Sequence, residues 1–201
     1  MTMLEQEDFG AGTNTTYTIP ANTNRLVVYL NGPGAGGGGG NSNSAGGGGG
    51  SGAKGMFVFT GTLGGKDLDI VLPVGGTGGA PGQNGNIASG HATVAFDNSF
   101  TLIAGSGSLG YGGNGQPGPG GRGGNIATNT PDQGGGAVLP SYVTSFGQFN
   151  LGAPAGMDGT QRLYGHGGNE GDTGGGGKGG WWNTAGENGQ GGYIHIECYE
   201  D

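Results

Sequence analysis

The 201-residue chain has a single cysteine, Cys198. An intrachain disulfide is therefore excluded, and with it the small secreted scaffold that replaces a core by cross-links. A cysteine on an alternating strand reads instead as a small buried hydrophobe. Basic residues are also scarce: six Lys and Arg stand against fourteen Asp and Glu, a net charge of −8. Glu5, Glu7, Asp8, Glu197, Glu200 and Asp201 lie at the two ends, so the middle is close to neutral. A nucleic-acid partner requires a basic stripe that displaces counterions, and none exists. The same deficit disfavours an anionic membrane surface. Apolar residues make up only 31% of the chain, and no apolar run approaches membrane-spanning length, so membrane insertion is not expected. The opening "MTMLEQEDFG" has neither the basic nor the apolar region of a secretory signal. The expectation is a protein made in a cytoplasm that does not leave by the usual exporter.

Glycine is what the chain has in excess, 58 residues of it. Such composition ordinarily denotes a flexible or low-complexity tract. Phase argues otherwise. Thirteen positions from 156 to 192 are divisible by three, and all but Arg162 and Asn183 are glycine, where composition alone would place about four. Gly165, Gly168, Gly171, Gly174, Gly177 and Gly180 form the longest unbroken run. Gly112, Gly115, Gly118, Gly121 and Gly124 form another, and Gly76, Gly79, Gly82 and Gly85 a third. In the first tract the phase shows as Gly34, Gly37 and Gly40, then Gly46, Gly49, Gly52 and Gly55.

A period of three matches the polyproline II helix, which makes no hydrogen bonds of its own. Ordering glycine costs roughly 0.5–1 kcal/mol more than ordering alanine, so the phased glycines of residues 156–192 would cost roughly 5–10 kcal/mol unless their backbones found partners. Prolines are few, nine in all, and the phase breaks at loops, so collagen is not the reading. Short polyglycine II helices, packed side by side through a bare face, are.

Strands frame these tracts. "TNTTYTIP" (13–20), "NRLVVYLNG" (24–32), "KGMFVFTG" (54–61), "DLDIVLPV" (67–74) and "GGYIHIECYE" (191–200) carry period-two patterns. "HATVAFDNSFTLIAG" (91–105) reads as a hairpin turning at Asp97-Asn98. No stretch shows a cap and 3.6-residue periodicity. The expected fold is all-β: a small β-sandwich framework with packed polyglycine II helices and little or no α-helix. Residues 13–201 are expected to form one domain, with 1–12 as an N-terminal tail that could dock on a partner.

The phrases "TYTIPANTNRLVVYLNGPGAGGGGG", "GGGGGSGAKGMFVFTGTLGGKDLDIVLPVGGTGGAPGQNG" and "GQGGYIHIECY" resemble the glycine-rich domains at the tips of bacteriophage tail fibres. The glycine excursions also resemble the distal adhesins of T-even-like phages, layered sandwiches of polyglycine II helices. Loops between those helices bind a host outer-membrane protein. The likeness covers nearly the whole chain after residue 13. It implies a virion protein, made in the host cytoplasm and released by lysis. Its partners would be a bacterial cell-surface receptor (outer-membrane protein or glycan) and other virion proteins. A fibre tip on a three-fold shaft would suit a homotrimer. Some animal receptor kinases carry glycine-rich domains of similar plan.

Signals of catalysis are weak. No serine sits in a G-x-S-x-G elbow. "GDTGGGGKGG" mimics a phosphate loop, but Gly179 follows Lys178, and Asp172 replaces the first glycine. His91, His166 and His195 have no metal-ligand spacing, and His195 reads as a solvated side chain on the outer face of its strand. No enzyme, cofactor or metal is expected. The aromatic residues are more informative. Trp181 and Trp182 end the longest phased run; "VLPSYVTSFGQFNL" (138–151) brings Tyr142, Phe146 and Phe149 into a glycine region; Tyr111, Tyr164 and His166 lie beside helix starts. They either pack over the bundle's edges or form a receptor-binding patch on its loops. Adjacent tryptophans in a strand would face opposite ways, leaving at least one accessible. Two other readings stand beside the adhesin: a non-receptor virion protein (head decoration, spike or tail-tip cap), and an ice- or surface-binding polyglycine II protein. Against the last, Thr and Ala do not repeat at outward positions.

Overall fold

The structure is a computed structural model that describes residues 1–97, 100–129, 139–159, 165–168 and 173–201. Its strands are β1 (Thr2–Phe9), β2 (Asn14–Thr18), β3 (Arg25–Asn31), β4 (Lys54–Gly61), β5 (Asp67–Val71), β6 (Ala92–Phe96), β7 (Phe100–Ala104), β8 (Ile126–Asn129), β9 (Val143–Gly152) and β10 (Tyr193–Glu200). They form two five-stranded sheets, β1-β10-β3-β4-β9 and β2-β5-β6-β7-β8, antiparallel throughout. No α-helix occurs among the described residues. The fold is all-β, as the period-two patterns predict.

Alternation sends one face of each inner strand into the core. Leu26, Val28 and Leu30 of β3, Phe57 and Phe59 of β4, and Ile194, Ile196 and Cys198 of β10 are buried from the first sheet. Leu68, Ile70, Val94, Phe96, Phe100 and Leu102 meet them from the second. Asp67 and Asp69 face outward, and their carboxylates accept hydrogen bonds from Thr18 and Thr16 of β2, both at 2.7 Å. Cys198 is a free, buried thiol 3.4 Å from the Tyr17 hydroxyl. The hairpin turn of β6 and β7 has Asp97 at φ 45°; Asn98 lies outside the described residues.

Two segments depart from the sequence reading. Residues 1–12 do not trail as a tail: Thr2–Phe9 is an edge strand antiparallel to β10, from Thr2 opposite Glu200 to Phe9 opposite Ile194, with one register shift between Met3 and Glu5. Nearly every residue of β1 is exposed, so it carries no one-sided apolar pattern. The aromatic segment 138–151 does not interrupt the glycine bundle either. From Val143 on it is β9, paired along β4.

Between paired strands the chain runs out into threefold segments and back. Residues 34–40 and 45–53 join β3 to β4; 75–80 and 83–88 join β5 to β6; 105–113 and 118–125 join β7 to β8. Residues 153–159, 165–168, 174–180 and 184–192 lie between β9 and β10. The hydrogen bonds of 34–40 rotate among three directions. Gly34, Gly37 and Gly40 donate to the carbonyls of Gln190, Glu187 and Thr184 at 2.9–3.0 Å. Ala35 and Gly38 donate to Gly50 and Gly47, and Gly36 and Gly39 to Asn86 and Gln83. The same segment accepts from Gly76 and Gly79, from Gly110 and Gly113, and from Gly177 and Gly180. Segment 34–40 thus has six backbone neighbours, and 45–53 is surrounded in the same way by 34–40, 105–113, 118–125, 153–159, 165–168 and 174–180. Three residues per turn with partners in rotation is the polyglycine II arrangement.

This geometry refines the reading of the phase. Peripheral segments need a bare face only toward the bundle, so they keep glycine at least every third residue and carry side chains such as Thr77 and Lys178 between. Segments 34–40 and 45–53 touch other backbone on every side and need glycine almost throughout. A Cβ on Gly36, Gly37 or Gly38 would lie 2.0, 1.9 and 2.1 Å from the carbonyl oxygens of Thr77, Lys178 and Tyr111, which belong to three different segments.

Of the scaffold glycines named above, Gly118, Gly121 and Gly124 donate to Ala45, Gly48 and Ser51. Gly165, Gly168, Gly177 and Gly180 donate to Gly46, Gly49, Ala35 and Gly38, and Gly174 to Gly191. Gly112 donates to the Asn84 side chain at 2.9 Å. Gly115 is a correction: it lies in a turn at φ 78° with open space where a Cβ would sit. Gly55 belongs to β4, not to the bundle, and Gly171 lies outside the described residues.

Candidate functional site

One end of the bundle continues into the sandwich. The other ends in turns, which the hydrogen bonds bring together. Gly40 at the tip of its segment donates to Thr184 and accepts from Gly82, and Gly113 donates to Gly39. A Cβ on Gly82 would lie 3.9 Å from that of Asn41. The turns 41–44, 80–83, 114–117 and 181–184 therefore cap the same end.

Three of these turns have a local cause. In 41–44 the Asn41 side-chain oxygen accepts from the N–H groups of Asn43 and Ser44 at 2.9 Å and from the Ser44 hydroxyl at 3.0 Å, an Asx turn. In 80–83 Gln83 N–H donates to the Ala80 carbonyl at 2.8 Å. Pro81 and Gly82 are central, with Gly82 at φ 73°, the type II pattern that requires glycine there. In 181–184 Thr184 N–H donates to the Trp181 carbonyl at 2.9 Å. Trp182 and Asn183 both have positive φ, 42° and 57°, the signature of a type I′ turn. The Thr184 hydroxyl accepts from Trp181 N–H at 2.6 Å and donates to the Trp181 carbonyl.

That turn overrides the strand rule for adjacent tryptophans. The two indoles do not point to opposite faces; they stack, with centroids 6.4 Å apart and planes at 22°. Trp181 is half-buried and Trp182 is 67% exposed. A groove of about 250 Å³ runs beside Trp181, lined by Lys178, Gly179, Gly180, Trp181, Thr184, Ala185 and Glu187. Across it the Lys178 ammonium and the Glu187 carboxylate stand 4.0 Å apart. The four turns carry no charged residue; their exposed polar residues are Asn43, Gln83, Asn114, Gln116 and Asn183, with amides, and Ser42 and Thr184, with hydroxyls.

The other candidates divide between bundle and sandwich. Tyr111 is exposed on segment 105–113 and His166 on segment 165–168. Tyr164 lies outside the described residues. Phe146 packs against the core, its ring 5.0 Å from Phe59 and 5.5 Å from Phe100. Tyr142 is half-buried beneath the Lys66 ammonium, 4.6 Å above its ring, and burial raises its pKa. Phe149 is exposed on β9. These last three belong to the sandwich and do not join the tryptophans.

A second polar cluster escaped the sequence reading. His195 is not a solvated side chain: its Nδ1 lies 2.7 Å from Asp8 Oδ1, and its Nε2 lies 3.3 Å from Glu197 Oε1. Burial acts to lower its pKa, but the hydrogen bonds to Asp8 and Glu197 outweigh this and raise it above 6.5. Hydrogen bonds from Tyr193 and then His195 hold the Asp8 carboxyl below 3.8. The Tyr193 phenol, bonded to Asp8, is pushed up to about 12. Asp8 comes from β1, so treating residues 1–12 as a tail hid the cluster. Among the described residues no group of His, Cys, Asp and Glu is arranged to hold a metal ion.

Compared with known proteins, the chain matches the family described as a glycine-rich domain over residues 10–198. No curated protein matches it. The chain belongs to the glycine-rich domain family.

Proposed function

From membership of the glycine-rich domain family and the geometry of the distal turns, we propose that the chain is a bacteriophage virion protein that attaches to a bacterial surface. In this reading it binds and does not catalyse. The polyglycine bundle is a rigid stalk, the sandwich faces the particle, and the distal turns meet a receptor of the host, an outer-membrane protein or glycan. The observation that carries the reading is the joining of four uncharged turns and a stacked tryptophan pair, with Trp182 exposed, on one end of a scaffold whose segments are cross-linked by backbone hydrogen bonds. Rigid loops bearing aromatic anchors and small amides suit recognition, because little freedom is lost on binding. The resemblance to tail-fibre tips supplies the biological setting.

The test is adsorption. Fluorescent protein is applied to a bacterial panel that includes the strain on which the parent phage grows. Labelled cells and blocked phage adsorption are expected, with both lost in the Trp181→Ala/Trp182→Ala variant and retained in Phe149→Ala. Folded protein that labels no strain and leaves adsorption unchanged would refute the reading. It would favour a structural virion protein, for which the exposed Met1, Met3 and Leu4 at edge strand β1 would serve as an interface within the particle.

A further inference from the structure

The geometry points to an uncharged sugar ring of a cell-surface glycan as what the distal face takes, seated on Trp182 with its hydroxyls in the adjoining groove. This deepens the attachment reading and rests on it.

Backbone conformation is the first observation. Trp182 sits at the first central position of a type I′ turn, where glycine, asparagine and aspartate are favoured. A bulky residue at φ 42° is an outlier. The chain supplies 58 glycines elsewhere, including Gly82 and Gly115 at turns of positive φ on this same end. An indole held at Trp182 against the backbone's preference is best explained by what the indole does. The Thr184 hydroxyl, engaged at both the N–H and carbonyl of Trp181, fixes the turn.

Shape is the second. Trp181 supports Trp182 in a stacked pair, and Trp182 remains 67% exposed. A flat aromatic surface backed by a second ring is a platform for a planar or near-planar partner. The π face is electron-rich and attracts the polarised C–H groups that line one face of a sugar ring. The groove of about 250 Å³ is smaller than the roughly 300–1,000 Å³ typical of drug-sized ligands and suits one ring of a longer chain.

Polarity is the third. The groove offers the Lys178 ammonium as donor and the Glu187 carboxylate as acceptor, and Asn183 adds an amide beside Trp182. Sugar hydroxyls both donate and accept, so they can use all three. The carboxylate, 61% exposed, and the net charge of −8 disfavour acidic sugars. A protein receptor calls for a large patch, roughly 1,200–2,000 Å² in total, with apolar anchors entering dry pockets at its centre. Here the large apolar side chains of the four turns are the two tryptophans alone; Ala80 and Pro81 add only small exposed apolar groups, and the rest is amide and hydroxyl.

Trp181 and Trp182 are the chain's only tryptophans, so intrinsic tryptophan fluorescence reports this site alone. Titration with neutral oligosaccharides of galactose and of N-acetylglucosamine, and with protein-free lipopolysaccharide from a labelled strain, is expected to shift or quench it. Trp182→Gly should weaken binding at least tenfold. Because glycine accepts the turn's φ, that variant should melt no lower than the parent, which separates lost binding from lost folding. On whole cells, periodate treatment should abolish labelling and protease treatment should spare it. Labelling that survives periodate and disappears with protease would overturn the sugar assignment in favour of a protein receptor and leave attachment standing. Unchanged affinity in Trp182→Gly would overturn the placement of the ligand. Fluorescence that responds to saccharide in a protein that labels no cell would sustain the sugar site and sink the attachment reading.

Discussion

Replacing Gly37 by alanine adds one methyl group to an interior segment, and the structure gives the size of the disturbance. The new Cβ would lie 1.9 Å from the Lys178 carbonyl oxygen, whereas ordinary contact begins at 3.4 Å. Segments 34–40 and 174–180 must therefore part by about 1.5 Å. They are joined by Gly177 N–H to Ala35 O at 2.9 Å and by Gly180 N–H to Gly38 O at 2.7 Å. Displacement by that amount takes both beyond hydrogen-bond range. No water replaces them inside the bundle without further opening, and each unmade buried bond costs about 1–3 kcal/mol. The expected loss is about 2–6 kcal/mol, against a total of about 5–15 kcal/mol for a domain. At about 2–4 °C per kcal/mol for a chain of this size, Tm should fall by at least about 4 °C.

Two other glycines calibrate the result. A Cβ on Gly10 meets nothing within 4 Å, so Gly10→Ala should leave Tm unchanged or raise it by restricting the unfolded chain. Gly115 also has open space but sits at φ 78°, so Gly115→Ala should cost roughly 1–2 kcal/mol of backbone strain. Calorimetry of the three variants should rank Gly37→Ala lowest, Gly115→Ala between and Gly10→Ala highest. Amide exchange should show lost protection at Gly177 and Gly180 in Gly37→Ala. If Gly37→Ala melts with Gly10→Ala, the interior segments are not the close-packed lattice described, and the proposed rigid stalk loses its basis.

The cluster joining β1 to β10 predicts a pH dependence. His195 has a raised folded pKa, so its pairing contributes stability that is complete below about pH 6.5 and is lost as pH rises through the folded value. Asp8 has a lowered folded pKa, so its contribution is present above about pH 3.8 and is lost as pH falls through the folded value. The Tm gap between the protein and Asp8→Asn should be widest near pH 5, about midway between those limits, and should narrow at alkaline pH; a gap that widens as pH rises above 7 would contradict the pairing. Separately, Phe146→Ala removes a ring packed on Phe59 and Phe100 and should cost about 3 kcal/mol, whereas Phe149→Ala on the exposed side should stay within about 0.5 kcal/mol. Equal losses in urea denaturation would show that β9 is not oriented as described.

How much of this was legible follows from which contacts leave a trace in sequence. β5 and β10 were legible because one face is buried and the other wet, as Leu68 and Ile70 against Asp67 and Asp69 illustrate. β1 was not, because water reaches both of its faces and no periodicity results. β9 was misplaced because Gly147 interrupts it and because the polar, exposed Gln148 and Asn150 share the face of Phe146, which dilutes its pattern. The tryptophan pair was legible as an anchor but not in its geometry. Trp181-Trp182-Asn183-Thr184 folds as a turn held by Thr184, and its only local cue was the asparagine at a position that tolerates positive φ.

The glycine phase was legible for a different reason: each peripheral segment repeats the same lateral contact every three residues. What phase could not supply was the identity of the neighbours, since every bare backbone offers the same donors and acceptors. Yet the two unbroken runs, 36–40 and 46–50, do mark their own place. A threefold helix with a neighbour on each side can spare almost no position for a side chain, and then only for small ones such as Ala35, Ala45 and Ser51, whereas one at the surface can spare one or two. Glycine density along the bundle therefore reports depth, as apolar density does in a sandwich. Side chains between the phased glycines, such as Tyr111 and Glu187, project from the surface of the bundle, where Glu187 meets Lys178 at 4.0 Å.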